Sequence, residues 1–283
     1  MNQITLLDGA QGTLLWQKAE AQGIPKASVW TYNLTHPELV SAVCREYADA
    51  GSEIICANTF GINRFTVERE STASVPEAVT AAIHTAKEAL LGTEVLVALD
   101  VGPLPMMTEP YGDLSEEETE EIFDEIIEAG SSAGADLIFL ETFMQIEMLA
   151  AAFRAAKKTG LPVFASMSFE ASGRTLFGVS VEDMLEELSP MGPAAVGMNC
   201  SVGPDLAVPV ITEFAEKTEF PLILKPNAGV PVTGEDGTAR YTITAEEFCK
   251  DMAAALDLGR IRYLGGCCGT NPDFIRALRT LIA

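Results

Sequence analysis

Eight short apolar runs recur along the chain, at residues 4–7, 54–56, 95–99, 137–140, 163–166, 195–198, 222–224 and 261–264. Most are continuous rather than alternating, the pattern of strands whose two faces are both covered in a parallel sheet. The segments between them carry a helical period, as in Leu39, Val43 and Tyr47 or in Ile122, Ile126 and Gly130. Several open on start signals: Thr35 with Glu38, Ser115 with Glu118 and Thr244 with Glu247 as capping pairs, and Asn271 ahead of Pro272. Strand alternates with helix throughout, and eight such units predict an α/β chain folded as a (β/α)8 TIM barrel, one domain over residues 1–283. No GxGxxG turn follows the first strand, which weighs against a doubly wound dinucleotide-binding sheet. The acidic stretch 114–121 reads as a solvated helix start, where carboxylates face the positive end of the helix dipole. Residues 229–242 read as a long polar loop.

Charge narrows the partners. Lys and Arg number 18 against 41 Asp and Glu, a net charge of -23. That balance argues against a sequence-independent grip on nucleic acid and against an anionic membrane surface. No apolar run is long enough to span a bilayer. The opening MNQITLLDGAQGT lacks the basic region and apolar stretch of a signal peptide, so the expected location is cytoplasmic with reduced thiols. Six cysteines in that setting call for a metal or catalytic reading before a disulfide one.

In a barrel the C-terminal strand ends converge on one mouth, where chemistry is placed. The residues that close the runs are mostly polar: Asp8, Asn58, Asp100, Glu141, Ser168, Glu170, Cys200, Asn227, Cys267 and Cys268. Cys200 follows the sixth run and Cys267 and Cys268 the eighth, so the barrel brings three thiols to one rim. Three soft ligands suit zinc, with the fourth tetrahedral position left for substrate. Adjacent cysteines in a regular strand point to opposite faces, so both reach one ion only if the backbone bends, which Gly265, Gly266 and Gly269 permit. A vicinal disulfide, a redox pair or two adjoining buried cysteines are the other readings of the same motif. Cys44 and Cys249 lie in helical patterns and Cys56 in a strand, as small core residues. A zinc ion with three thiolates is a poor activator of water but a good place to hold another thiol as its nucleophilic thiolate, which implies alkyl transfer to a substrate sulfur. His36 and His84 both read as structural, which disfavours a Ser-His or Cys-His hydrolase.

With DGAQGT, CANTFGIN, LET, ASGRTLFG, GMNCSVGP, PNAGVP and LGGCCGTNP in this order, the sequence resembles the homocysteine S-methyltransferases over nearly its whole length. GGCCGT with the upstream NC is the specific part. ASGRTLFG and PNAGVP tilt the likeness towards the homocysteine-binding module of cobalamin-dependent methionine synthases. The resemblance implies that Cys200, Cys267 and Cys268 hold zinc, with homocysteine sulfur as fourth ligand. It implies that Asp8 and Glu141 sit near the substrate amino group and that amides of the turn through Gly9, Ala10 and Gly12 receive its carboxylate. Two carboxylates can pair with an ammonium, and free N–H groups of a Gly-rich turn receive an anion. Asn58 and Asn199 are candidates for orienting the pocket.

Folate and cobalamin modules like those of the multidomain synthases are not expected in this sequence, which runs only a short way past GGCCGT. A cobalamin-ligating DxHxxG is also absent. The expected activity is therefore zinc-dependent methyl transfer to homocysteine giving methionine, from a methyl-corrinoid carried by a separate protein. The alternatives are a free donor such as S-methylmethionine, S-adenosylmethionine or a betaine, and a non-catalytic barrel that binds zinc or a thiol.

Overall fold

In the computed structural model, which describes residues 3–233 and 239–283, each of the eight apolar runs forms a strand. They are β1 (Thr5–Leu6), β2 (Ile54–Cys56), β3 (Leu96–Val101), β4 (Leu137–Phe143), β5 (Val163–Met167), β6 (Ala195–Asn199), β7 (Leu222–Lys225) and, after two short strands, β10 (Ile261–Leu264). The intervening pair, β8 (Val232–Thr233) and β9 (Ala239–Arg240), is an antiparallel ribbon. It corrects the reading of residues 229–242 as loop alone; positions 234–238 lie outside the described residues.

The eight long-range partners form one parallel sheet in the order β1-β10-β7-β6-β5-β4-β3-β2. Between the two ends of that order, the seam is closed by a mixture of backbone and side chain. Glu53 N–H donates to Leu6 O at 2.7 Å, Leu6 N–H donates to Glu53 Oε1 at 3.2 Å, and Cys56 N–H donates to Asp8 Oδ2 at 2.9 Å. Asp8 thus helps to close the barrel as well as facing its mouth.

The continuous apolar runs follow from this architecture, because successive side chains point alternately inward and outward and both faces are covered. Leu7, Ile54, Ala98, Phe139, Phe164, Ala195 and Ile223 fill the barrel interior, while Leu99, Leu140, Val196 and Leu224 face the helices in the larger outer core. Phe164 packs between Phe139 and Tyr263, with ring centroids at 6.1 and 4.3 Å, so the interior is filled rather than open. Outside, Leu39, Val43 and Tyr47 are the buried stripe of the helix Pro37–Ala50, and Ile122, Ile126 and Gly130 that of Glu116–Ser132.

Ser115 and Glu118 form a reciprocal capping box, as do Thr244 and Glu247, and Asn271 caps the helix that Pro272 opens. The first predicted cap is corrected. His36, not Thr35, precedes the helix that begins at Pro37, without a side-chain cap. Thr35 closes the preceding short helix, and its hydroxyl donates back to Thr31 O at 3.0 Å. Among the described residues no helix is long and apolar enough to cross a membrane.

Candidate active site

The strand ends open on a cavity of about 380 Å³ lined by Asp8, Cys56, Asp100, Glu141, Lys225 and the three clustered cysteines, with Trp16, Val29 and Phe60 as apolar wall. Its polar lining divides into a sulfur corner and an acid corner.

The sulfur corner is made by two turns. Cys200 and Ser201 follow β6 in the left-handed conformation, with φ of 61° and 55°, a backbone state that costs a side-chain-bearing residue of the order of 1 kcal/mol each. Opposite them, Thr270 N–H donates to Cys267 O at 3.1 Å and closes a turn with left-handed Gly269 (φ 81°) in its third position. That turn is the bend that lets Cys267 and Cys268 face the same way. Gly269 alone supplies the unusual dihedral. Gly265 and Gly266 serve close packing instead, since a Cβ would lie 2.6 Å from Asp8 O in the first case and 2.5 Å from Thr270 Oγ1 in the second. The loop after β7 ties the two turns together: Cys200 N–H donates to Lys225 O, Cys267 N–H to Pro226 O, and Ala228 N–H to Cys268 O, at 2.8–3.1 Å.

All three cysteines are free thiols, and their sulfurs lie within 4.8 Å of one another, with Cys200 and Cys268 at 3.8 Å. Hydrogen bonds from Cys267 and Cys268 hold the Cys200 thiol far below its usual range, at about 3. The same contact raises the other two, because each gives its S–H to Cys200 and a second thiolate would stand beside the first. By itself the cluster carries one negative charge comfortably and three only beside a cation.

Asn199 braces this corner. Its Oδ1 accepts from Thr142 N–H at 2.8 Å and from Ser166 Oγ at 2.7 Å; its Nδ2 donates to Thr142 Oγ1 at 2.7 Å and to Cys267 Sγ at 3.8 Å. Thr142, with φ 69°, sits in an irregularity of the β4–β5 register, and Asn199 grips both its backbone and its side chain. This bulge sets the direction of the neighbouring Glu141.

In the acid corner the sequence reading missed a residue. Lys225, the last residue of β7, is only 2% exposed and places Nζ 3.1 Å from Asp8 Oδ1 and 3.1 Å from Glu141 Oε2. Burial opposes its charge, but the anionic groups around it (Cys56 when ionised, Glu141 and Asp8) outweigh burial and hold its pKa well above the usual value. Asp8 has two further donors, because its Oδ2 also accepts from Cys56 N–H at 2.9 Å and from Gln11 Nε2 at 3.0 Å. The two carboxylates expected to face a substrate ammonium thus already share one from the protein. Burial raises the pKa of Glu141 and, with the charge of Glu141 beside it, raises that of Asp100 well above the carboxylate range.

Other expected residues divide. Cys56 is not only a core residue: it lines the cavity, and its sulfur lies 4.0 Å from Lys225 Nζ. Burial pushes its thiol well above the usual value. Cys44 is buried in its helix as anticipated. Asn58 borders the cavity, but its amide donates to Val29 O and Asn33 Oδ1 at 2.8 and 3.0 Å, pinning the segment that carries Val29. Gly9 is pressed against Thr270 and Tyr47, and Ala10 N–H is taken by Thr270 Oγ1 at 3.2 Å. The helix Gln11–Ala21 starts at the cavity without a side-chain cap, and Gln11, Gly12 and Thr13 of its first turn are in the lining. Uncapped first-turn amides are an anion-binding feature. Glu170 is exposed and outside the lining, and Ser168 supports Asn199 O from behind at 3.1 Å.

The sequence profile of the homocysteine S-methyltransferases matches residues 5–282. The chain belongs to this family. Methionine synthases of Mycobacterium leprae and Mycobacterium tuberculosis are 28% and 29% identical to it over 98% of its length, and it spans 24% of each of those longer proteins. Its fold matches the metallated form of the homocysteine methyltransferase MmuM from Escherichia coli with a TM-score of 0.79 at 22% identity, covering 98% of this chain and 96% of that one. This homocysteine S-methyltransferase family member is thus a barrel with a three-thiol corner and an acid corner that contains its own lysine. The signal for Lys225 was present in LILKPNAG, where a lysine directly ends an otherwise buried run.

Proposed function

We propose that the protein methylates the thiol of homocysteine to give methionine, with a zinc ion held by Cys200, Cys267 and Cys268 and the methyl group supplied by a methyl-corrinoid on a separate protein. The observation that carries this reading is the convergence of three free thiols on a cavity whose opposite wall is acidic. The donor set fits the metal. Zinc–thiolate bonds of about 2.3 Å place the corners of a tetrahedron about 3.8 Å apart, the Cys200–Cys268 separation found here. Zinc bound there supplies the positive charge that keeps three protein thiols and a substrate thiol deprotonated near neutral pH.

The chain's own residues position the acceptor. The acid corner receives an ammonium, and the uncapped start of the helix Gln11–Ala21 receives a carboxylate. Between these two anchors, the substrate sulfur is directed to the sulfur corner. Trp16, Val29 and Phe60 form the apolar wall on that side of the cavity. In the transfer, the acceptor sulfur forms the new bond to the methyl carbon, and the donor keeps the electron pair of the bond that breaks.

A protein-borne donor is favoured by the rim. Phe60, Met106, Met107, Tyr111, Leu176 and Val230 are exposed, and all lie in segments that follow barrel strands at the mouth. Large exposed apolar side chains grouped on one face mark an interaction surface. The remaining surface is acidic, so the docking partner must meet this apolar rim or carry basic patches.

The test is methionine formation from homocysteine by the zinc-loaded protein, with a methyl-corrinoid protein and, separately, with S-methylmethionine, S-adenosylmethionine or a betaine. Turnover with the corrinoid donor alone is the expected outcome. Turnover with a free donor in a corrinoid-free mixture would overturn the donor assignment. Zinc without turnover for any donor would make the protein a binding subunit.

A further inference from the structure

The acid corner holds three carboxylates, Asp8, Asp100 and Glu141, against one ammonium, that of Lys225, and no other lysine, arginine or histidine lines the cavity among the described residues. Lys225 spends its charge on Asp8 and Glu141. Asp8 already has three donors on its two oxygens, two on Oδ2 and the ammonium of Lys225 on Oδ1. Asp100 differs. It is 7% exposed at the end of β3, its backbone is fixed by Thr59, and its Oδ1 is buried without a hydrogen-bond partner. A carboxylate oxygen of Asp100 lies within 4.8 Å of one of Glu141. An ammonium donating to two carboxylates at about 2.8 Å each, at a tetrahedral angle, spans about 4.6 Å.

We infer that Asp100, with Glu141, is the acceptor for the substrate's ammonium, and that Lys225 has taken over the place beside Asp8. The inference rests on the reading of this cavity as a homocysteine site and changes which residues select for the amino acid. A buried polar atom left without a partner is costly, so a cavity-lining residue whose Oδ1 has no partner is a site for a donor from outside. Burial and the charge of Glu141 favour the neutral acid at Asp100, against the ammonium of Lys225, which eases the crowding of three acids in so small a volume. An incoming ammonium restores its charge. Cys56 completes a group that could also hold a metal ion, but Lys225 Nζ stands 3.1 Å from Glu141 and 4.0 Å from Cys56. A dication suffers twice the repulsion from that buried charge that an ammonium does. Selectivity then lies with Asp100: a thiol of the same length that lacks the ammonium gains nothing from it.

Calorimetric titration of the zinc-loaded chain with homocysteine and with 4-mercaptobutanoate tests this directly. Wild-type protein is expected to prefer homocysteine by roughly 10- to 100-fold, the value of a charge-assisted hydrogen bond. Asp100→Asn is expected to abolish that preference, weakening homocysteine by the same factor and leaving 4-mercaptobutanoate within about twofold. Asp8→Asn, by contrast, is expected to keep the preference. A preference retained in Asp100→Asn and lost in Asp8→Asn would overturn the assignment while leaving the homocysteine reading intact. Wild-type protein that binds neither thiol would overturn that reading itself. Should the variants fail to fold, a crystal structure of wild-type protein with homocysteine decides: the amino nitrogen against Asp100 supports the inference, and the nitrogen between Asp8 and Glu141 with Lys225 displaced contradicts it. Two zinc ions per chain, the second lost in Asp100→Asn, would also contradict it.

Discussion

The two corners of the cavity solve the problem of charge in opposite ways. The acid corner is buried and carries its own counter-ion, with Lys225 between Asp8 and Glu141. The sulfur corner is half-buried, and its order comes from backbone turns and from Asn199. One corner is therefore nearly satisfied by the protein alone. The other is a rigid frame of donors whose chemistry needs a cation from solution. Stability and function separate accordingly: the acid corner is tied to the closing of the barrel through Asp8, whereas the sulfur corner can lose its ion and keep its frame.

The sharpest way to break this comparison is to remove one sulfur. Cys267→Ala is expected to weaken zinc binding by at least about 100-fold, the upper end of the loss caused even by an outer-sphere partner, and to abolish methyl transfer. Metal analysis after dialysis checks the first effect, and thermal denaturation of metal-free protein is expected to be little changed. The complementary variant is Lys225→Met. It leaves two buried carboxylates without their partner and is expected to cost about 3–5 kcal/mol of stability, read from the denaturant midpoint. Glu141→Gln in the same chain should recover part of that loss, and zinc content should stay at one per chain. A stable Lys225→Met protein would show that the corner is solvated rather than ion-paired.

Smaller effects refine the division. Asn199→Ala removes the brace shared by Thr142, Ser166 and Cys267 and is expected to cost about 1–3 kcal/mol together with about 10-fold in zinc affinity. It is the one substitution expected to move both quantities. Ser201→Gly relieves a left-handed residue. An increase in stability of about 0.5–1 kcal/mol is expected, with zinc affinity unchanged, as competition with a chelator would show.

What the sequence made legible follows the same line. The strands could be read because burial on both faces leaves a continuous apolar run. The sulfur corner could be read because three cysteines at two strand ends are brought to one barrel mouth, where they form a soft ligand set. The acid corner could be read only in part. Asp8 and Glu141 stand out as acids at strand ends, but their partner Lys225 follows three apolar residues and reads as the polar end of a strand. Its role depends on a distance across the barrel that no local pattern encodes. Asn58 and Asn199 look equivalent in sequence, each an Asn at a strand end. The fold alone makes the first a pin for the Val29 segment and the second a brace for Thr142 and Cys267. Thr35 misled for a local reason: Pro37 fixes the first helical residue and moves the boundary to His36.

X-ray absorption at the zinc edge, with and without homocysteine, tests the central claim that the sulfur corner is where the acceptor thiol is held. The account predicts three sulfur ligands and one lighter ligand in the resting protein and four sulfurs after homocysteine is added. An edge that homocysteine leaves unchanged, or a metal surrounded mainly by oxygen from the start, would contradict it.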